Sequence, residues 1–321
     1  MSILITGGTA GLGYHCSLAL ARQYPNHRIV IASRSNTNTP SDKINKTLGQ
    51  TNVEYLRLNL GSLAEVRAFA KTWAEKNYPP IEYLLLNAGL QFPGPLGHTV
   101  DGFEQTFGVN HVGHALLFSL LVPHLAHTAH IVITASGTHD PAQKTGMPDA
   151  IYSTAEELAH PTGQSLNYAG RQRYTSSKLA NILWAYALET RFKELRERKV
   201  RDWTVAAFDP GLIPGTGLVR QGSSIELFVW QRVLPKILPL LRLLVSPNIH
   251  TPAESGGNLA WLAASDQVKG TSGDYYEGRK KIKSSGVSYQ KDKQEDLWMW
   301  TVKNIATSPD EIAQFSLKQL S

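Results

Sequence analysis

Tyr174 and Lys178 stand four positions apart in YTSSK, at the start of the longest helical pattern in the chain, Tyr174 to Arg198. That spacing puts both side chains on one helix face, about 5 to 6 Å apart at Cβ. An ammonium so placed favours the phenolate and draws a tyrosine pKa down from about 10 toward neutrality. Such a phenol can act as general acid toward a carbonyl or general base toward an alcohol. Far upstream, Thr6, Gly7, Gly8, Thr9, Ala10, Gly11, Leu12 and Gly13 form a glycine-rich turn. Between a strand and a helix, such a turn lets the backbone approach a pyrophosphate, while the helix amino terminus offers unpaired N–H groups. The chemistry indicated is proton transfer beside a bound dinucleotide.

Those groups need a scaffold, and the chain supplies an alternation. Short β-type runs at Ile3 to Thr6, Arg28 to Ala32, Val53 to Leu58, Ile81 to Leu86, His130 to Thr134, Trp203 to Phe208 and Gly273 to Tyr276 are separated by helical patterns. The helices are expected near Leu12 to Tyr24, Leu63 to Lys76, Phe103 to Leu125, Tyr174 to Arg198 and Ala253 to Ala264, with SRSNTNTPSDK read as a loop. Strands alternating with helices predict an α/β fold: one Rossmann-type, doubly wound parallel sheet with helices on both faces. We find no repeat or Gly/Ser linker, so residues 1–321 are expected to form one domain. Two stretches depart from the alternation, a polar insertion at 137–173 and an apolar, proline-punctuated segment at 219–251.

At the end of the second strand stand Ser33 and Arg34, where an NAD site would usually present an acid to the ribose hydroxyls. A guanidinium there suits a 2′-phosphate, so NADP(H) is the expected cofactor. Composition closes off other classes. With one cysteine, Cys16, there is no internal disulfide and no cysteine zinc site. His111, His114 and His139 lack metal-ligand spacing, so structural or loop roles are expected and no metal site. The net charge of +6 is mild, and the run Arg279, Lys280, Lys281, Lys283 reads as solvated surface, with no nucleic-acid partner expected. Neither a signal peptide nor a membrane span is indicated. A cytoplasmic chain that could sit peripherally on a membrane is expected.

Taken together, these features resemble the short-chain dehydrogenase/reductase family over nearly the whole chain. The glycine pattern matches Thr6, Gly7, Gly11 and Gly13, and Asn-Ala-Gly after the fourth strand matches Asn87, Ala88 and Gly89. Asn110, Ser136, Tyr174 and Lys178 match in order, as do Pro210 and Gly211, followed by Thr216. NHVGH, YTSSKLANIL, PGLIPGTGL and TPAESGG are similar to the branch holding retinol dehydrogenases and light-dependent protochlorophyllide reductase. The resemblance implies Tyr174 as proton donor in reduction and Lys178 binding the nicotinamide ribose while lowering the tyrosine pKa. It also implies Ser136 bonding the substrate oxygen and Asn110 holding a water that links Lys178 to solvent.

Asn59 and Leu60 replace the family's Asp-Leu, and the asparagine is expected to keep an adenine contact. Ala10 stands where many NADP-preferring members carry a basic residue, which leaves the NADP expectation on Arg34. The segment 219–251 falls where the family binds substrate. A greasy lid over a bulky apolar carbonyl or alcohol, a core-packing helix pair, a dimer surface and an interfacial membrane contact are all compatible with it. The function expected is NADP(H)-dependent interconversion of a ketone or aldehyde and an alcohol on a bulky apolar molecule, by a monomer or homodimer. The rivals are reduction of a conjugated C=C bond and a catalytically silent NADP-binding regulator.

Overall fold

Along the first two strands, alternate side chains enter opposite cores, which fixes the layers of the molecule. Leu4, Val30 and Ala32 face one core, and Ile3, Ile5, Ile29 and Ile31 the other. A strand buried on both faces must be covered by helices on both faces. The computed structural model describes residues 1–215 and 228–320. Its strands are β1 (Ser2–Thr6), β2 (Arg28–Ser33), β3 (Val53–Arg57), β4 (Ile81–Leu86), β5 (Leu125–Thr134), β6 (Asp202–Asp209), β7 (Asp274–Glu277) and β8 (Lys280–Ile282). They form one sheet in the order β3-β2-β1-β4-β5-β6-β7-β8, parallel from β1 to β7, with β8 antiparallel at the edge. The strand order reverses between β1 and β4, and ligands of such sheets bind beyond the carboxyl ends of the strands at that point.

One face carries α1 (Gly11–Gln23), α2 (Pro40–Leu48) and, from the far half of the chain, a helix at Pro252–Ala264. Cys16 is buried there as a free thiol, the small core residue its sequence context predicts. The other face carries α3 (Leu63–Glu75), α4 (Gln105–Phe107), α5 (Gly113–Leu121) and, after the short α6 (Ala155–Ala159), the 28-residue α7 (Gly170–Glu197). Beyond β6 follow α8 (Leu238–Leu244), the helix already placed at Pro252–Ala264 as α9, α10 (Lys291–Ile305) and α11 (Pro309–Phe315).

Several boundaries differ from the sequence reading. The polar run read as a loop contains the start of α2, with Pro40 in its first turn. The helix expected to reach Leu125 ends at Leu121, because Pro123 enters a 3₁₀ turn, and β5 starts five residues before the expected His130. Tyr174 does not open its helix: α7 starts a turn earlier, at Gly170, whose Cβ position would lie 2.0 Å from the Phe92 carbonyl. Only glycine lets α7 cross the chain there. β8, α10 and α11 were not expected.

The carboxyl-terminal part is docked. Leu297, Trp298, Val302 and Ile305 of α10 join the core beneath α7, and Arg191 pairs with Glu295 while stacking 4.3 Å over Trp298. Arg67 on α3 holds Glu311 of α11 through two hydrogen bonds, which lowers that carboxyl to about 2. The same tail pins the polar insertion. Tyr152 donates to Asp296 at 2.7 Å, Lys293 to the Tyr152 carbonyl at 2.7 Å, and Trp300 to Glu156 at 2.6 Å.

Candidate active site

The carboxyl ends of β1, β4, β5 and β6 meet where the strand order reverses, and the residues singled out by sequence gather there. Thr6 ends β1, and its Oγ1 accepts the Asn87 N–H at 2.9 Å and the Ala88 N–H at 3.0 Å. Asn87 returns a side-chain bond to the Thr6 carbonyl at 2.9 Å. The loop after β4 is thereby locked against the glycine turn. Within that turn Gly7 and Gly11 adopt φ of +69° and +54°, a region where a side chain is strained. A Cβ on Gly13 would lie 2.2 Å from the Gly7 carbonyl oxygen. Ala10 leaves the amino terminus of α1 without a side-chain cap, so its first N–H groups are free to meet an anion. Thr9 donates to Ser33 at 2.9 Å, joining the turn to the end of β2. Arg34, next along, is exposed and makes no ion pair among the described residues. This donor set and bare backbone cradle fit a dinucleotide.

The Asn59 carboxamide bonds Glu65 at 2.8 Å and accepts the Gly61 N–H at 3.1 Å, bracing the start of α3, while Leu60 is buried. Asn110 lies in a π-turn, Gly108–Val112, between α4 and α5; such wide turns recur at functional sites. Its carboxamide clamps the backbone of Leu90 with bonds of 2.8 and 2.9 Å and reaches Ser177 of α7 at 3.1 Å. Its carbonyl meets His114 Nδ1 at 3.1 Å, while His114 Nε2 meets the Thr6 hydroxyl at 2.9 Å. His114, pushed down to about 4 by burial, is a neutral brace between the glycine turn and the π-turn.

Tyr174 and Lys178 are both buried, with the Lys178 Nζ 5.6 Å from the Tyr174 ring centroid. Lys178 donates to the Thr134 carbonyl at 3.0 Å, and its Nζ packs so near Gly89 that a Cβ there would lie 3.2 Å away. Burial lowers Lys178 to about 8, opposed by the negative charge of Asp209. Burial also holds the Tyr174 phenol well above its usual range, the Ser136 hydroxyl pulling down and Asp209 pushing up. That reverses the expected direction: in the protein alone, desolvation of the phenolate outweighs the neighbouring ammonium. Ser136 caps the turn after β5, and its Oγ accepts from Thr138 N–H at 3.3 Å and Thr138 Oγ1 at 3.1 Å. Its own proton is left to donate.

Beneath the site, Asp209 escaped the sequence reading, whereas His139 takes the structural role expected of it. Asp209, at the end of β6, is 1% exposed, and both its oxygens face donors. Gly211 N–H reaches Oδ1 at 3.0 Å, Asn248 reaches Oδ2 at 2.8 Å, and the Gly137 N–H adds a third bond. Burial pushes this carboxyl above its ordinary range, and the cage of donors pulls back toward the ionised form. His139 meets the Ser136 carbonyl through Nδ1 at 2.7 Å and accepts the Ser285 N–H on Nε2 at 3.0 Å. As a neutral ring it ties the serine turn to the carboxyl-terminal part. The signal that could have pointed to Asp209 is its place directly before Pro210 and Gly211.

Asp209→Asn removes a charge that raises both Lys178 and Tyr174. The expected result is a pH–rate profile displaced to lower pH: the alkaline loss of carbonyl reduction comes earlier, and alcohol oxidation starts earlier. Steady-state rates in both directions across pH check this, and an unmoved profile would mean that Asp209 carries no charge in the working site.

Pro210 accepts a bond from Ser255 at 2.9 Å, and Gly211 takes a φ of +73° where a Cβ would meet Asn248 at 2.4 Å. Thr216 and the first part of the apolar segment, 219–227, lie outside the described residues. In the described rest of that segment most apolar side chains are exposed and only Leu238 and Ile249 are turned in, so residues 228–251 do not pack as a core helix pair. The later part of the polar insertion lines a cavity with Glu104, Phe107, Arg173 and Ser176 that neither Tyr174 nor Ser136 borders. No cluster of metal-ligand side chains occurs among the described residues, and no helix among them is long and apolar enough to cross a membrane.

Residues 1–155 match the short chain dehydrogenase family. A polyprenol dehydrogenase of Danio rerio is 33% identical over 302 residues, covering 92% of this chain and 83% of the relative. Retinol dehydrogenase 14 of Mus musculus is 29% identical, over 86% of this chain and 77% of the relative. Among solved structures, an uncharacterized protein from Mycobacterium Paratuberculosis superposes with a TM-score of 0.66 at 23% identity, covering 95% of this chain and 92% of that one. The NADPH bound carbonyl reductase from chicken fatty liver gives 0.58 at 17% identity, covering 88% and 98%. The first sets the family and the last two the fold. The chain belongs to the short-chain dehydrogenase/reductase family and is an oxidoreductase acting between CH–OH and C=O groups.

Proposed function

We propose that the protein uses NADP(H) to interconvert a ketone or aldehyde and an alcohol on a bulky apolar molecule, with Tyr174 as general acid and base. The observation that carries this reading is the buried Tyr174 phenol beside Ser136, with Lys178 on the same helix face. Bound NADPH supplies the hydride; the protein contributes orientation and electrostatics. Its groups divide the remaining work. A phenol held protonated by burial is in the form that gives its proton to an alkoxide developing on the substrate. Ser136, whose acceptor side is taken by Thr138, turns its proton toward the same oxygen and stabilises the growing charge. Lys178 would hold the nicotinamide ribose, with its ammonium fixed by the Thr134 carbonyl. Asn110 acts by clamping Leu90 and Ser177, so that the wall facing Lys178 stays in place.

The apolar substrate class is supported by the names of the relatives, since a polyprenol and a retinol are both long apolar alcohols. The preference for the phosphorylated cofactor rests on Arg34, exposed and without an acidic partner, beside the hydroxyls of Thr9 and Ser33. A charge-assisted bond to phosphate is worth roughly 1.5 to 3 kcal/mol. Arg34→Ala should therefore weaken NADPH binding about 10- to 100-fold and leave NADH binding nearly unchanged; fluorescence titration of both cofactors measures it. Equal losses for the two would remove Arg34 from phosphate recognition. The function itself is tested by NADPH absorbance decay against bulky ketones, quinones and retinal-like aldehydes. Turnover of at least one carbonyl is expected, and tight NADPH binding with no turnover of any would favour a regulator.

A further inference from the structure

Between its described ends, the excursion after β6 is tied back to the turn it leaves from. Gly215 N–H donates to the Trp230 carbonyl at 2.9 Å, Leu212 N–H to Asn248 at 2.9 Å, and His250 N–H back to Leu212 at 2.9 Å. Asn248 also holds Asp209, so the excursion is anchored at the rim of the active site. Between those ties it shows water side chains that helices normally bury. Leu243 is 81% exposed, Leu244 71% and Phe228 62%, and Leu240 is also exposed. So much exposed apolar surface within eighteen residues marks an interaction site.

Its charge says which kind. Residues 228–245 contain no aspartate or glutamate and three cations. Arg242 pairs with Glu254, whereas Arg232 and Lys236 are exposed and have no acidic partner among the described residues. If two copies of this face met, Arg232 and Lys236 would be brought toward their own like charges with no acid in the segment to neutralise them. A surface that is apolar and anionic together satisfies both features, and an anionic lipid bilayer is that surface. We infer that residues 228–245 dock the protein on an anionic membrane, the leucines entering the acyl boundary and Arg232 and Lys236 meeting the headgroups. The rim of the active site then sits at the lipid surface. The benefit to catalysis rests on the proposed substrate class: a bulky apolar alcohol or carbonyl compound dissolved in the bilayer would reach Tyr174 without crossing water.

The test is co-sedimentation of the full chain with phosphatidylcholine/phosphatidylserine vesicles and with pure phosphatidylcholine vesicles. Binding to the mixed vesicles, weaker on pure phosphatidylcholine and reduced by salt, is expected. Each cation near an anionic surface contributes about a fivefold factor in partitioning, so Arg232→Gln/Lys236→Gln should lower it about 30-fold. Leu243→Glu/Leu244→Glu should abolish it without lowering the melting temperature, because both side chains already face water. Failure of the intact protein to bind either vesicle overturns the inference. So does a dimer in sedimentation velocity that Leu243→Glu/Leu244→Glu dissolves while vesicles are ignored, which would assign the face to a second copy. Turnover of the bulky ketones, quinones and retinal-like aldehydes with NADPH is measured in parallel. Turnover without vesicle binding removes only the docking; vesicle binding without turnover leaves the docking standing and removes the proposed reaction.

Discussion

Tyr174→Phe is expected to lower kcat about 10³-fold in both directions while NADPH affinity stays within about threefold. General acid–base catalysis is worth about 10² to 10⁴, and Tyr186, the other phenol of α7, is engaged with Ser284 at 2.6 Å. The substitution keeps the buried ring and its contact with the Lys178 ammonium at 5.6 Å, so the packing of α7 has no reason to change. What is lost is the proton and the influence of Ser136 on it. Steady-state turnover with cofactor titration separates the two effects. A variant retaining more than a tenth of the kcat would place the proton donor elsewhere.

Gly13→Ala is expected to remove cofactor binding and destabilise the fold together. The new methyl would stand 2.2 Å from the Gly7 carbonyl oxygen and 2.9 Å from the Asn87 amide nitrogen. Neither neighbour can give way cheaply: the first is backbone in a turn with positive φ, and the second holds the Thr6 carbonyl at 2.9 Å. Overpacking of this kind costs about 1 to 3 kcal/mol. The turn must open to admit the methyl, and that displaces the N–H groups meant for the pyrophosphate, so NADPH affinity should fall about 100-fold or more. Gly257→Ala on α9 is the matched control, because nothing lies within 4 Å of its Cβ position. In a helix it should stabilise by roughly 0.5 to 1 kcal/mol. Denaturant midpoints and NADPH titration of the two variants give the comparison, and parallel behaviour would contradict the packing argument.

The parallel sheet was legible because strands β1 to β6 carry branched residues bounded by glycine or polar turns. The glycine turn, Tyr174 and Lys178 were legible because their spacing along the chain is itself the geometric requirement, and Ser136 through the family resemblance. The elements that went unread are those whose signal is tertiary. The first half of β5 reads LAHTAH, with His127 and Thr128 exposed, so no period of two marks its start. The helix α10 begins in KDKQED, a run that resembles solvated surface, and only its later residues Leu297, Trp298 and Val302 enter the core. Asp209 closes a mostly apolar strand; what makes it part of the site is a cage of donors from Gly211, Gly137 and Asn248, two of them far away in sequence. The π-turn at Asn110 leaves no mark in composition, since its widened hydrogen bond, Gly113 to Gly108, depends on the packing around it. The direction of the Tyr174 pKa shift was misjudged for the same reason: spacing reports the nearby ammonium but not the depth of burial.

The account stands most directly on where the hydride goes. A single turnover with NADPH deuterated at the transferring position, in the presence of a long-chain apolar α,β-unsaturated ketone, followed by mass spectrometry of the product, reads this out. Deuterium on the carbinol carbon of an allylic alcohol is the predicted result; deuterium on the β-carbon of a saturated ketone would contradict it and assign the site to C=C reduction.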